Sequence, residues 1–253
     1  MKKYFCVADV HGFYDELIAA LSDAGFDKDN EDHVFVSCGD LLDRGEQPLQ
    51  CLEFVNSLQR KILIRGNHED LMEEMLKRRY YLLHDLHNGT VQTIANVCGV
   101  KMFSSGTEFE DCCDKFGSNE QYKEYMKTLR NYYETVNHIF VHGWIPCNKT
   151  QKMGGYFYFY DPNWRNANSE NWNNSRWYAG WNLWEEGIKE PNKTVICGHW
   201  HCSAPNYYLH HKGKNQYDCV DPFIDDGIVC IDAYTAHTHK INCYVVEDEE
   251  LWK

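Results

Sequence analysis

A chain of 253 residues, 43% hydrophobic and 15% aromatic, is long enough for one substantial core and is expected to form a single domain over residues 1–253. A formal net charge of −13 excludes a protein built to bind a nucleic-acid duplex, which needs a basic face, but not one that takes a phosphorylated substrate at a local positive centre. The twelve cysteines form no CxxC pair and several lie in apolar runs, so they read as reduced thiols of a cytoplasmic protein, and no apolar run is long enough for a membrane span.

The opening MKKYFCVADVHG has two lysines and then an apolar run that Asp9 ends after about five residues, short of the ~7 to 15 of a signal-peptide core. Residues 4–8 therefore read as a strand. Residues 14–24 place Leu17, Ile18 and Leu21 at helical spacing, 33–38 read as a strand, 48–59 as a helix with Pro48 near its start, and 61–64 as a third strand. The charged run 27–32 is a turn. This β-α-β-α-β order predicts a parallel sheet with crossover helices and the second strand between the other two.

Ligands of such sheets gather beyond the carboxyl ends of the strands. There the sequence turns polar: Asp9-Val10-His11-Gly12, then Gly39-Asp40-Leu41-Leu42-Asp43-Arg44-Gly45, then Gly66-Asn67-His68-Glu69. Residues 71–133 are mainly helical, with loops near Gly89 and at 104–106. A short strand at 139–141 ends in His142-Gly143. Residues 144–184, rich in Trp, Tyr and Asn and without a clean period, are expected to be a long loop or lid that faces the substrate. A strand at 194–197 ends in Gly198-His199-Trp200-His201, and 227–233 with 242–247 read as a closing pair of strands joined at His239-Lys240.

The strand ends thus deliver Asp9, His11, Asp40, Asn67, His142, His199 and His201 toward one edge. These are oxygen and imidazole donors without a thiolate, a set that suits Mn, Fe, Co or Zn. Seven donors are too many for one tetrahedral ion and about right for two ions that share Asp40. A pair of ions ~3.5 to 4 Å apart clamps the attacking and leaving oxygens of a phosphoryl displacement. Two dications against two carboxylates leave a positive cluster, which suits a phosphate ester and a metal-bound hydroxide as nucleophile. Any one of these histidines alone is more often structural, and His33, His84, His87, His138, His210, His211, His237 and His239 are read as surface or packing residues.

The blocks DVHG, GDLLDRG, GNHE, VHG and GHWH, in that order from residue 9 to residue 201, resemble the calcineurin-like metallophosphoesterase superfamily. The first three are closest to its phosphoprotein (Ser/Thr) phosphatase branch. The resemblance implies an α/β fold, a four-layer α/β/β/α sandwich of mixed sheets, with two divalent ions at the strand ends, manganese first and Fe, Zn, Co or Ni as alternatives. It implies that Asp9, His11, Asp40 and His201 hold one ion and Asp40, Asn67, His142 and His199 the other. His68, oriented by Asp43, would be the general acid. Arg44 and Asn67 would face the substrate, joined by a second arginine from the aromatic segment, Arg176 in preference to Arg165.

The chemistry needs the same roles, because an alkoxide is a poor leaving group and a planar guanidinium pairs two phosphate oxygens. The reading is a dinuclear phosphomonoesterase of Ser/Thr protein phosphatase type, acting on a phosphoprotein or small phosphate ester. The alternative, a reaction the resemblance also implies, is a dinucleoside polyphosphate hydrolase of the diadenosine tetraphosphate kind. Trp144 follows VHG where the protein phosphatase branch has a second glycine, and GHWH is the general superfamily form, both departures from the pattern of a phosphatase with a protein substrate. A third reading is a non-catalytic metal-binding scaffold.

Overall fold

The computed structural model describes residues 1–152 and 155–251. Strands β1 (Lys2–Val7), β2 (His33–Ser37) and β3 (Lys61–Leu63) are parallel with β2 in the middle, and α1 (Tyr14–Asp23) and α2 (Pro48–Ser57) make the crossovers. Side chains alternate across these strands. Phe5, Val7, Phe35 and Leu63 pack on Leu17, Leu21, Leu52 and Val55 of the two helices, while Tyr4, Cys6, Val34, Val36 and Ile62 point the other way. The helical stretch that follows comprises α3 (Asn67–Arg78), α4 (Leu83–His87), α5 (Thr90–Cys98), α6 (Gly106–Gly117) and α7 (Glu120–Thr128). It begins at Asn67, so Asn67 and His68 open a helix rather than end a loop.

A second sheet lies against the inner face of the first. After β4 (Tyr133–Glu134) and β5 (His138–Phe140) the chain forms a hairpin, β6 (Cys147–Lys152) and β7 (Gly155–Tyr160), then α8 (Ser169–Ser175) and α9 (Gly180–Glu185). It returns through β8 (Thr194–Cys197), α10 (Ser203–Tyr208), β9 (Phe223–Asp225), β10 (Ile228–Cys230), α11 (Thr235–Thr238) and β11 (Tyr244–Asp248). The sheets run β11-β1-β2-β3 and β4-β5-β8-β10-β9, each mixing parallel and antiparallel pairs. Phe140, Ile196, Val229 and Ile231 of the second meet the inner face of the first, and helices cover both outer faces, giving the four-layer sandwich.

Two expectations change. The closing strands do not pair with each other: β10 lies between β8 and β9, whereas β11 pairs antiparallel to β1 with Lys2 opposite Asp248. A period of two identifies a strand but carries no information about its partner. The aromatic segment is not a long loop either. Trp144, Trp164, Trp172, Trp181 and Trp184 are buried against Ile139, Val141, Val195 and Ile228 on the outer face of the second sheet. Its helices are only seven and six residues long, too short to print a helical period. Buried indoles also need acceptors, found at the Ile188 carbonyl for Trp144, at Glu190 for Trp164 and at the Asp226 carbonyl for Trp184.

The two sheets are also joined through Asp248, at the end of β11. Its carboxylate accepts from the Thr135 hydroxyl at 2.7 Å, the Asn137 amides at 2.9 and 2.8 Å and His138 Nδ1 at 2.7 Å. Burial raises its pKa, but these donors outweigh burial and hold it at about 2. His138 is thus a structural histidine. All twelve cysteines are free thiols, and no helix among the described residues is long and apolar enough to cross a membrane.

Because the tryptophans are core, Trp164→Ala should cost about 3–5 kcal/mol of stability in urea unfolding. A loss below about 1 kcal/mol would mean that the segment is held in place by something other than its indoles.

Candidate metal centre

The loops after β1 and β2 are zipped together by backbone bonds from Asp9 to Gly39 at 3.1 Å, His11 to Asp40 at 3.0 Å and Gly12 to Leu41 at 2.8 Å. To turn there, Asp9, His11, Asp40, Asp43 and Arg44 adopt left-handed backbone, as does His199 after β8, with φ between 52° and 75°. Each costs on the order of 1–3 kcal/mol, a strain that persists only where the surroundings over-determine it. Two glycines make room. A Cβ on Gly66 would lie 2.1 Å from Asp40 Oδ1, and one on Gly198 would lie 2.2 Å from Asp9 Oδ2.

Two groups of converging donors result, His11 with Asp40 and His68, and Asp40 with His142 and His199, so Asp40 belongs to both. Asp40 Oδ2 lies 3.4 Å from His142 Nε2, 3.9 Å from His68 Nε2 and 4.0 Å from His11 Nε2. Asn67 Oδ1 joins at 2.7 Å from His142 Nε2. Asp9 accepts the His199 backbone N–H at 2.8 Å, and His201 lies beyond these groups with its Nδ1 on Asp232 at 3.1 Å and its ring 3.6 Å from that of Tyr234.

The donor chemistry fits cations. Nδ1 of His11 donates to the Leu42 carbonyl at 3.0 Å and Nδ1 of His142 to the Cys38 carbonyl at 2.8 Å, which aims both Nε2 atoms inward. A cation already stands at one of them, since Arg44 Nη1 donates to His11 Nε2 at 2.9 Å. At His142, burial lowers the pKa but the Asp40 carboxylate outweighs it and raises the ring to about 10, so this position calls for positive charge. Burial, then His142, pushes His199 down to about 3 and leaves it a neutral donor. Burial together with Asp232 and Asp40 pushes Asp9 well above the carboxylate range. Crowded buried carboxylates among inward-aimed imidazole Nε2 atoms are a donor set that fits divalent ions.

Beside this cluster His68 is held from behind. Its Nδ1 donates to Asp43 Oδ2 at 2.8 Å, and fully buried Asp43 accepts from the Thr90 and Thr93 hydroxyls at 2.9 Å each. Burial lowers the His68 pKa, yet Asp40 and Asp43 raise it on balance. Arg44 Nη2 lies 3.2 Å from His68 Nε2, so the guanidinium spans the cluster and this histidine.

Arg176 and Arg165 are engaged elsewhere. Arg176 Nε meets Asp70 at 2.6 Å and its Nη1 meets Asn131 at 3.1 Å, whereas Arg165 pairs with Glu134 and Glu190. The sequence reading also passed over several supporting residues. Glu69 accepts the backbone N–H groups of Asp40, Leu41 and Gly66 at 3.0, 3.0 and 2.7 Å and the Tyr125 hydroxyl at 2.8 Å, which straps the β2 loop to α3. Thr90, Thr93 and Asp232 complete the support. Glu69 was visible as the last letter of GNHE; the threonines and Asp232 had no local signal.

A four-layer sandwich with a shared-carboxylate donor cluster at its strand ends has the architecture of a divalent-metal centre. A family model for calcineurin-like phosphoesterases matches residues 2–240, and the chain belongs to that family, whose members depend on a dinuclear divalent-metal site. The asymmetrical bis(5'-nucleosyl)-tetraphosphatase PrpE of Bacillus velezensis is 36% identical over 83 residues, 29% of this chain and 33% of that protein. The symmetrical bis(5'-nucleosyl)-tetraphosphatase of Psychromonas ingrahamii is 46% identical over 67 residues, 26% of this chain and 23% of that protein. The chain thus aligns with a third or less of the length of these relatives. The crystal structure of a cold-active protein-tyrosine phosphatase from a psychrophilic Shewanella superposes with a TM-score of 0.56 at 14% identity, over 98% of this chain and 76% of that one, a likeness of fold.

Gly66→Ala tests the packing of the centre. It should keep the helical circular dichroism but lose most bound divalent ion by elemental analysis, because the new methyl displaces Asp40; a metal content equal to wild type would show that Asp40 can move aside.

Proposed function

We propose that this chain hydrolyses phosphoanhydride bonds of nucleoside polyphosphates, with Asp40 as the carboxylate shared by two ion sites. The observation that carries the hydrolytic part is the sharing of Asp40 by two donor groups, one of which includes His68, a ring anchored from behind by Asp43. In this reading Asp9, His11, Asp40 and His201 hold one divalent ion, and Asp40, Asn67, His142 and His199 the other. Ions bound there would supply the activation of water and the charge that a transferring phosphoryl group needs. Manganese is the first choice by the family resemblance, and the mixed oxygen and imidazole donors suit Fe, Co or Zn as well.

The chain supplies the remaining steps. Arg44, within reach of both His11 and His68, offers a planar fork for two phosphate oxygens. His68, as the imidazolium, gives the leaving oxygen its Nε2 proton, and Asp43, accepting from Nδ1, stabilises that cation and fixes the ring's orientation. Asp43 stays a fixed acceptor because two hydroxyls bind it.

Two aromatic rings support the nucleotide reading over the phosphoprotein one. Trp177 is 49% exposed with its ring 5.9 Å from His199, and Trp200, 45% exposed, lies 6.4 Å from both His199 and His201. Indoles so exposed beside a charged centre suit the face of a base, at about 1–3 kcal/mol per stacked base. The names of the curated relatives point the same way. Trp144, which departs from the protein phosphatase pattern, is buried and bonded to the Ile188 carbonyl, so it bears on packing and not on substrate.

Steady-state assays with Mn²⁺ should give a kcat/KM for diadenosine tetraphosphate at least tenfold above that for a phosphoserine peptide. The reverse order would replace this substrate with a phosphoprotein, and no turnover of either, with metal bound, would leave a binding module. His68→Asn should bind metal as wild type does but lose about 10²- to 10⁴-fold in kcat. Loss of one ion in that variant would make His68 a ligand instead of the acid.

A further inference from the structure

Asn67 and His142 come from different sheets, one at the start of α3 after β3 and the other at the end of β5, yet Asn67 Oδ1 and His142 Nε2 are 2.7 Å apart. We propose that Asp70 is a positioning residue that sets this separation, through a carboxylate shared between Arg65 and Arg176. The proposal rests on the metal-centre reading above.

The contacts close a ring. Asp70 lies in the first turn of α3, three residues after Asn67. Its Oδ1 accepts from Arg65 Nε at 2.6 Å and its Oδ2 from Arg176 Nε at 2.6 Å. Arg176 follows α8, and the end of α8 presses on the residue next to His142: the Trp144 N–H donates to the Ser175 carbonyl at 3.1 Å. A Cβ on Gly143 would come within 2.5 Å of that oxygen and 2.8 Å of the Arg176 carbonyl. The path therefore runs from Asn67 along α3 to Asp70, across to Arg176, through its backbone to Gly143, and back to His142.

Only a carboxylate suits this place. Two guanidinium groups need two acceptor oxygens, and an amide must turn its NH₂ toward one of them. Arg176 is 8% exposed, so losing its partner leaves a nearly buried charge unpaired. Arg176 also borders a cavity of about 500 Å³ whose walls mix the acids Asp70, Glu73, Glu74 and Glu170 with Arg65 and Lys77, and its Nε is already paired with Asp70. Its part is to hold Asp70.

The test uses the full chain, stripped of metal by a chelator and titrated calorimetrically with Mn²⁺, with thermal unfolding of the metal-free protein alongside. Asp70→Asn and Arg176→Gln should each weaken the second ion by about tenfold and leave the first within about twofold. The double variant should be no weaker than either single one, because both break the same contact. Arg176→Lys, which keeps a cation on Asp70, should recover most of the loss. Unchanged affinities, additive losses, or equal weakening of both ions with a lowered unfolding temperature would overturn the proposal. So would a raised KM for a phosphate ester in Arg176→Gln alone with metal affinity intact, which would place Arg176 on the substrate. Wild-type protein that takes up fewer than two ions would overturn the metal-centre reading itself, and the clamp with it.

Discussion

Asp40 is 1% exposed at the carboxyl end of β2, ringed by the imidazoles of His11, His68 and His142, and a carboxylate so deeply buried cannot stay ionised without compensation. Burial raises its pKa, but His142 and His68 outweigh burial and hold it well below the usual range. Its Oδ1 accepts the His68 backbone N–H at 3.0 Å, so the same carboxylate that gathers the donors also fixes the start of α3. The glycine at 66, the left-handed turns and the Glu69 strap follow from keeping this one group in place.

The sandwich makes that placement affordable. Tightly packed apolar side chains between the sheets, with Tyr4, Val36, Phe140 and Ile196 among them, set how the carboxyl ends of β2, β5 and β8 approach. The bonds to Asp248 join β11 to the turn before β5. A buried aromatic face behind the second sheet then keeps β5 and β8, and therefore His142 and His199, from shifting. Strain in the left-handed loop residues is offset by this packing and by the backbone bonds that zip the loops together.

Much of the first sheet was legible because its evidence is local. A period of two, a helical period and polar residues at strand ends lie within short windows, so β1, α1, β2, α2 and β3 and the block residues could be located directly. What failed was long-range. Nothing near residue 244 says that β11 pairs with β1, and short helices joined by turns hide their period, so the tryptophan-rich segment looked like a loop although it supplies a core. The pairing of Arg176 with Asp70 shows the same limit: the two lie more than a hundred residues apart, and nothing local signals it.

The sequence by itself determined the kind of atoms available and the strand ends that carry them, because residue identity and hydrophobic period are local properties of the chain. Asn67 and His68, adjacent in sequence, already differed in chemistry, one a neutral oxygen donor and the other a titratable ring. Only the tertiary structure decided that Asn67 turns to His142 while His68 turns to Asp43. That choice depends on a second sheet and on α5, built from residues far along the chain, and sequence spacing cannot express which of two neighbouring side chains a distant partner will hold.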